Sequence, residues 1–187
     1  MTDEETGSTP LVLAASSSEA REVARYLVER GADVNVAGNV SDVLGRQSPL
    51  ILAVEHNDLE LVRLLLGRGA DPNRFGDFYG RALDSAADDE HTDLIELLVD
   101  NGADLWFRNG DDDMTALELA VLRKQWRAAR LLYQRSDALF PNALGSPLHA
   151  RAARGEVRGV EALLDGGVSV DLRDGAMKTA LHWAVGA

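Results

Sequence analysis

Two short runs of acidic residues contain the side chains that bind divalent cations. Residues 88–91 are two aspartates, a glutamate and a histidine, and residues 109–113 end in three aspartates. Consecutive carboxylates beside a helix end do not converge on one ion. In the second run, Met114 stands where a calcium loop needs its turn glycine, and Ala120 stands where its bidentate glutamate belongs. We therefore expect neither a metal site nor a cofactor.

The patterns of the common catalytic sites are also missing from the sequence. It contains no glycine-rich phosphate loop with a lysine, no serine elbow and no His-Glu-x-x-His motif. The lack of cysteine excludes disulfides, thiolate nucleophiles and thiolate zinc sites. No polar residues are grouped at the fixed offsets that hydrolysis needs, and so we expect no catalytic residues and no enzyme.

The charge of the chain limits the partners that it can bind. Its 187 residues include 19 basic and 31 acidic ones, which gives a net charge of −12. Such a charge argues against binding to phosphate backbones or anionic lipid. No apolar stretch approaches the roughly 18 residues of a spanning helix, and the acidic first residues lack the layout of a signal peptide. We therefore predict a cytoplasmic protein that binds neither nucleic acid nor membrane.

Two landmarks recur along the chain in a fixed order. A leucine preceded by proline or alanine returns every 31 to 39 residues. A Gly-Ala-Asp segment, or a remnant of it, follows each of the first five leucines by 19 or 20 residues. The leucines are Leu11, Leu50, Leu83, Leu117, Leu148 and Leu181, and the second landmark begins at Gly31, Gly69, Gly102, Ser136 and Gly167. Landmarks in fixed phase over five units indicate a repeat protein.

Each unit has the pattern of two helices followed by a glycine stop. Apolar residues 11, 12, 15 and 16 positions after the leucine form a helical stripe, as at Leu61, Val62, Leu65 and Leu66. Proline preceded by threonine or serine opens several first helices, where proline suits the first turn and its neighbour suits the N-cap. One such pair cannot bury its apolar faces alone, and so neighbouring units must stack.

These motifs resemble those of the ankyrin repeat. The helix-opening motif stands at residues 9–15, 48–54 and 146–149, and the closing motif at residues 31–35 and 69–73. The resemblance covers nearly the whole chain and implies an all-α solenoid of stacked helix-turn-helix units with hairpin-like finger loops. It implies a single domain, 1–187, with units at about 7–36, 46–74, 80–107, 114–139 and 145–172 and a partial sixth at 178–187.

The resemblance also shows where this chain is atypical. Ser136 replaces the glycine stop of the fourth unit, and Arg151 stands where the family has a small alanine, so we expect a displaced first helix in the fifth unit. The connection 36–47 is five residues longer than later ones, which predicts an enlarged, mobile loop. The family's use of the Leu-His position implies that His149 and His182 hold turns by hydrogen bonds.

Aromatic and acidic residues indicate where a partner would bind. In a stacked array the finger loops project to one side and the first helices line the adjoining groove. Six of the ten aromatic residues lie in these connections, where rings can anchor a partner and carboxylates can form a rim. The predicted partner-binding residues are Phe75, Asp77, Phe78, Asp88, Asp89, Trp106, Phe107, Asp111, Asp112 and Asp113. They predict a protein partner that presents basic and apolar groups.

Three roles fit this pattern. The first is a non-catalytic interaction module that acts as an adaptor or regulator. The second is an acidic inhibitor or immunity protein that occludes a basic effector, and salt-sensitive association would distinguish it from the first. The third is a homo-oligomer assembled through the incomplete sixth unit, where Leu181 and Trp183 lie on an incompletely covered helix. The first two roles fit a monomer, and the third requires at least a weak homo-oligomer.

Overall fold

The fold consists of helix pairs in sequence order. The computed structural model describes residues 8–41, 45–74, 76, 80–108, 114–139, 147–155, 157–165, 168–173 and 177–185. The first helices of the units are α1 (Pro10–Ala15), α3 (Pro49–Glu55), α5 (Ala82–Asp88), α7 (Ala116–Leu122), α9 (Pro147–Ala153) and α11 (Ala180–Val185). The second helices are α2 (Arg21–Glu29), α4 (Leu59–Gly67), α6 (Thr92–Asp100), α8 (Trp126–Leu139) and α10 (Val157–Asp165). The helix-turn-helix reading of the sequence is confirmed.

The first helices begin where the sequence places their caps. The hydroxyls of Thr9, Ser48 and Thr115 each accept the N–H three residues later, at 3.3 Å. Proline occupies the first turn of α1 and α3, where its missing N–H leaves no hydrogen bond unmade. The cap hydroxyls therefore satisfy N–H groups that would otherwise be orphaned at these helix starts.

The glycine stops end three of the second helices. Gly31, Gly69 and Gly102 have φ values of +86°, +84° and +88°, a left-handed conformation that other residues adopt only with strain. The N–H of the following alanine then reaches back to a carbonyl of the last helical turn, as from Ala32 to Leu27 at 3.0 Å. These glycines turn the chain out of each second helix and into the finger.

The repeated leucines form the centre of a continuous core. Those of the first five units are at most 5 % exposed. In the second helices the phased apolar positions are buried as well, for example Leu61, Val62 and Leu65 at 2 % exposure or less. The first helices α1, α3, α5 and α7 contact one another in turn, and so do the second helices α2, α4, α6 and α8. Stacking therefore supplies the burial that a single helix pair cannot.

The long connection after the first unit contains a two-stranded ladder. The sequence predicts an enlarged loop at 36–47, but β1 (Gly38–Ser41) and β2 (Gly45–Gln47) pair antiparallel with an irregularity between Asn39 and Ser41. Ser8 anchors the ladder, because its hydroxyl donates to the Asn39 carbonyl at 2.6 Å. A side chain on Gly38 would collide with Ser8, which explains the glycine at this close approach.

Candidate protein-binding site

Asparagines tie the first three fingers together. The Asn35 side-chain amide donates to the Gly69 carbonyl at 2.9 Å, and its Oδ1 accepts the Asp71 N–H at 2.8 Å. The two polar groups of the Asn35 side chain thus bond to two backbone groups of the second finger. One side chain therefore fixes the position of the first finger relative to the second.

The same arrangement joins the second finger to the third. Asn73 donates to the Gly102 carbonyl at 2.9 Å and accepts the Asp104 N–H at 2.7 Å. In the third finger Trp106 stands at the position of these asparagines, two residues after the finger aspartate. The asparagine ladder therefore ends at the finger that carries Trp106.

A row of aspartates lies along these fingers. The Oδ1 atoms of Asp33, Asp71 and Asp104 each accept the N–H two residues later, at 2.9 Å, which is an Asx turn. All three residues are exposed. Because each turn repeats once per unit, the fingers present negative charges at regular intervals along one edge of the array.

Arg81 connects a first helix to the third finger. Its guanidinium carbon lies 3.4 Å from the centre of the Phe107 ring, and its Nη1 lies 3.6 Å from Asp104 Oδ2. The side chain is 18 % exposed. Arg81 was not among the predicted binding residues. Its position before Ala82, where other units have threonine or serine, nevertheless marks it as unusual. The cation holds Phe107 against the start of α5.

The two predicted aromatic residues that the structure describes are half-buried. Trp106 packs against the hydrophobic core, and Phe107 is covered on one face by Arg81. Neither ring is fully exposed, and so each combines a supporting contact with a partly accessible surface. Rings held in this way have little side-chain freedom left to lose on further packing.

Asp88 and Asp89 lie at the opposite end of α5 from these rings. Arg81 caps the start of α5, whereas Asp89 caps its end, roughly 12 Å away at 1.5 Å per residue. Asp88 Oδ1 lies 2.7 Å from Arg123 Nε. The structure therefore does not bring these two carboxylates together with Trp106 and Phe107 in one compact patch.

The remaining predicted residues lie outside the described part of the chain. They are Phe75, Asp77, Phe78, Asp111, Asp112 and Asp113. Partner binding by these residues stays a prediction.

Two carboxyl groups in the stacked region have raised pKa values. Burial, together with the charge of Asp89, raises the pKa of Glu55 to about 7. Glu55 Oε1 is buried without a hydrogen-bond partner among the described residues. Burial also raises the pKa of Asp84 to about 6, against the opposing effects of the Arg81 N–H, which donates to Asp84 Oδ2 at 3.1 Å, and of the Arg81 charge. Both pKa values are raised because the stacked units bury the carboxyl groups.

Three of the four histidines contact backbone groups rather than one another. His182 Nδ1 accepts the Thr179 N–H at 3.2 Å. His149 Nε2 lies 3.1 Å from the Leu172 carbonyl and 3.0 Å from the Lys178 carbonyl. His56 Nε2 lies 3.1 Å from the Ser16 carbonyl. Among the described residues, no three histidine or carboxylate side chains are grouped so that they could hold a metal ion. None of the described helices is long and apolar enough to span a membrane.

Family comparisons agree with the repeat architecture. The family described as "Ankyrin repeats (3 copies)" matches residues 50–142, and the one described as "Ankyrin repeat" matches residues 6–39. Together with the phased leucines and glycine stops, these matches show that the chain belongs to the ankyrin repeat family. Ankyrin repeats generally mediate protein–protein interaction and are generally non-catalytic.

Several characterised proteins contain a region similar to this chain. The B-cell lymphoma 3 protein homolog of Mus musculus is 37 % identical over 118 residues, which cover 63 % of this chain and 25 % of that protein. The putative ankyrin repeat protein FPV031 of Fowlpox virus is 34 % identical over 113 residues, covering 60 % and 32 %. The Mitochondrial disaggregase of Homo sapiens is 32 % identical over 184 residues, covering 93 % and 24 %. The chain thus spans a third or less of the length of these relatives.

Proposed function

We propose that this chain is a non-catalytic module that binds another protein through its fingers and the adjoining starts of its first helices, as an adaptor or regulator. The partner presents basic and apolar groups. The observation that carries this proposal is the asparagine ladder, which holds the first three fingers in one arrangement before any partner arrives. A preorganised surface loses little conformational entropy on binding.

The charges on this edge support a basic partner. Asp33, Asp71 and Asp104 are exposed and evenly spaced, and the whole chain carries a net charge of −12. Negative charge along one edge steers a basic protein toward it and raises the association rate. Trp106 and Phe107, at the end of the row, supply the apolar part of the surface.

The test neutralises the row without breaking its turns. In the triple variant Asp33→Asn, Asp71→Asn and Asp104→Asn, each side chain keeps the Oδ1 atom that accepts the turn N–H. The control removes three charges from exposed positions on second helices, with Glu29→Gln, Glu60→Gln and Glu161→Gln. The partner is first isolated on the unmodified chain, and its association rate with each variant is then measured at low and high salt.

We expect the finger variant to lower the association rate at low salt about 10-fold and to reduce its salt dependence. The helix control should change the rate far less. A further variant, Trp106→Asn, installs the residue that the preceding fingers have and should increase the dissociation rate. Equal effects of the two triple variants, or unchanged binding by Trp106→Asn, would contradict a binding site on the fingers.

A second role, an acidic inhibitor of a basic effector, is favoured by the net charge. Here the whole acidic surface would act, and the association rate would fall steeply with salt. Neutralising the helix carboxylates would then slow association nearly as much as neutralising the finger aspartates. An adaptor or regulator would instead depend on the finger aspartates and on Trp106, and little on the helix carboxylates.

A third role, self-association through the sixth unit, rests on one difference in exposure. Leu181 is 71 % exposed, although the equivalent leucines of the five preceding units are at most 5 % exposed. Val185, one turn further along α11, is 80 % exposed. If this face pairs with a second copy, sedimentation at increasing concentration detects a dimer that Leu181→Glu abolishes. A monomer at all concentrations contradicts this role.

A further inference from the structure

The regular stacking of second helices ends at α8. Helix α6 packs against α8, as α4 packs against α6 and α2 against α4. Helix α10 instead packs against α7 and α9, and within the described residues it makes at most marginal contact with α8. The side of α8 that faces the fifth unit therefore lacks the helix that covers its counterparts.

An open apolar groove of about 530 Å³ occupies that place. Leu117 and Val121 of α7 form its floor, Trp126 and Tyr133 of α8 form one wall, and Leu172 lies on the far side. Trp126 is 45 % exposed. Trp126 and the half-buried Tyr133 thus give the groove an aromatic wall, and aromatic residues are common anchors at binding hot spots.

The earlier junctions show what shape fills such a groove. Positions 12 and 16 after the repeat leucine are buried at the second and third units by the next stacked unit. These residues are Val62, Leu66, Ile95 and Val99, at most 8 % exposed. The equivalent residues of the fourth unit, Ala129 and Tyr133, line the groove; Ala129 is also buried, but Tyr133 is only half-buried. At the regular junctions, these positions pack against the apolar stripe of an α-helix in the next unit.

The α8 wall of the groove carries a charge opposite to that of the chain as a whole. Residues 123–135 contain five basic residues and no acidic one. Arg123 and Arg135 pair with carboxylates of the third unit, but Arg130 lines the groove and forms no ion pair with any described residue. Arg130 therefore gives the α8 wall of the groove a positive charge, whereas Asp171, exposed between the lining residues Ser169 and Leu172, lies on the far side.

We infer that this groove binds an amphipathic helix of a partner protein, with an apolar stripe in the groove and acidic residues beside Arg130. Neighbouring junctions define the helical shape, and Arg130, which pairs with no carboxylate among the described residues, defines the acidic flank. This surface differs from the fingers in position and in charge. One chain can therefore hold a basic protein on its fingers and an acidic helix on α8.

The test uses a synthetic peptide of about 16 residues, with leucines at helical spacing on one face and glutamates elsewhere. A matched peptide has lysine in place of every glutamate, and a second has the glutamate sequence scrambled. Binding of each labelled peptide to the full chain is followed by fluorescence anisotropy. We expect the glutamate peptide to bind at least 10-fold more tightly than either of the others.

Variants of the full chain locate the binding site. Arg130→Glu should weaken binding of the glutamate peptide about 10-fold, whereas the control Arg63→Glu should not. Arg63 is exposed and stands at the same repeat position in the second unit, where the junction is closed. Trp126→Thr installs the residue that the third unit has at this position, Thr92, and should also weaken binding. Neither variant touches the finger residues.

Three results would overturn the inference. In the first, the lysine peptide binds as well as the glutamate peptide. In the second, Arg130→Glu and Arg63→Glu have equal effects. In the third, the chain forms a dimer that Arg130→Glu dissociates, because the occupant of the groove would then be a second copy. Loss of the finger interaction with peptide binding retained would instead contradict only the function proposed above.

Discussion

The junctions among the first three units and the junction between the fourth and fifth units are built differently. In the first group, first helices stack on first helices, second helices stack on second helices, and asparagines bridge the fingers. At the fourth–fifth junction α10 packs against α7, and a groove remains beside α8. The same repeat pattern thus yields two kinds of interface within one chain.

Two substitutions within the pattern account for the difference. Where Gly31, Gly69 and Gly102 end the second helices, Ser136 allows α8 to continue for 14 residues against nine in α4 and α6. Three residues after the repeat leucine, every other unit has alanine, but the fifth has Arg151. A guanidinium does not fit where α-helices approach closely over alanine, and α9 accordingly does not stack closely on α7.

Arg151 is accommodated by a buried ion pair. Its Nε and Nη2 donate to the two carboxylate oxygens of Glu118, which is itself 3 % exposed. Glu118 also accepts the Thr115 N–H at 2.9 Å at the start of α7. A bidentate pair of this kind fixes orientation as well as charge. A buried, bidentate ion pair between α7 and α9 therefore helps to specify the irregular junction.

The largest expected effect comes from replacing the equivalent buried leucine with alanine in the regular and in the irregular part of the array. Leu98 and Leu163 stand at the same repeat position, 15 residues after the leucine, and both are 0 % exposed. We expect Leu98→Ala to cost about 3–5 kcal/mol, because stacked helices surround it. Leu163→Ala should cost about 2–3 kcal/mol, because α10 packs mainly against α7 and α9 and lacks a stacked second helix at α8. Urea unfolding measures the two losses.

Hydrogen exchange then shows whether the two regions unfold together. Coupling between units is a nearest-neighbour effect, and a weak junction separates an array into blocks. Leu98→Ala should speed exchange in α3 to α8 more than in α9 and α10, and Leu163→Ala should do the reverse. Uniform acceleration along the chain by both variants would show that the fourth–fifth junction couples as strongly as the others.

The second largest effect concerns the ion pair. Arg151→Met leaves the Glu118 carboxylate buried without its cation and should lower the free energy of unfolding by about 2–3 kcal/mol. Adding Glu118→Gln should recover most of this loss, because no charge then remains buried. The control Arg123→Met breaks an exposed pair with Asp88 and should cost less than about 1 kcal/mol. Equal losses for the two single variants would show that the Arg151 pair is not specifying the junction.

The regular half of the fold was predictable from the sequence, and the irregular half was not. Caps at Thr9 and Ser48 and stops at Gly31, Gly69 and Gly102 follow from local rules, and the structure confirms them. The displacement expected from Arg151 agrees with the packing, because α10 packs more closely against α7 than α9 does. The Glu118 partner was not foreseen, since a contact across 33 residues depends on how the two units are oriented.

The candidate site shows the same limit. Trp106 and Phe107 were selected as finger aromatics, but their half-buried state depends on Arg81 and on the core beneath them. Asp89 was grouped with them because the resemblance implies that the ends of first helices contact ligands, but it lies at the other end of α5. Sequence spacing identifies which residues belong to a finger. It does not report the distance between a finger and the far end of a helix.

A smaller effect is expected at the finger ladder. Asn73→Ala removes one bond to the Gly102 carbonyl and one from the Asp104 N–H, and it should cost about 1–2 kcal/mol. The comparison variant is Asn101→Ala, which loses only the bond to Leu97 within the third unit. Thermal unfolding should rank Asn73→Ala as the more destabilising of the two. The reverse ranking would mean that the ladder does not hold neighbouring fingers together.

The smallest effect shows that regular stacking also carries a cost. Burial and Asp89 raise the pKa of Glu55 from 4.5 to about 7, and so between these values the folded protein binds more protons than the unfolded chain. Its stability therefore falls as the pH rises through this range, and the full penalty is present above pH 7. Glu55→Gln should remove about 1 kcal/mol of this penalty, because solvent screening reduces the effect of a half-exposed carboxyl.

Unfolding measured between pH 4 and pH 8 checks this, with the exposed Glu60→Gln as the control. The Glu55→Gln variant should exceed the unmodified chain in stability at pH 8 and match it near pH 4, where the native carboxyl is neutral. Asp84, whose pKa is raised to about 6, contributes the same sign and will leave part of the slope in place. A stability difference that is constant with pH would show that packing against Asp89, rather than ionisation, is responsible. In that case burying Glu55 at a regular junction would have no electrostatic cost.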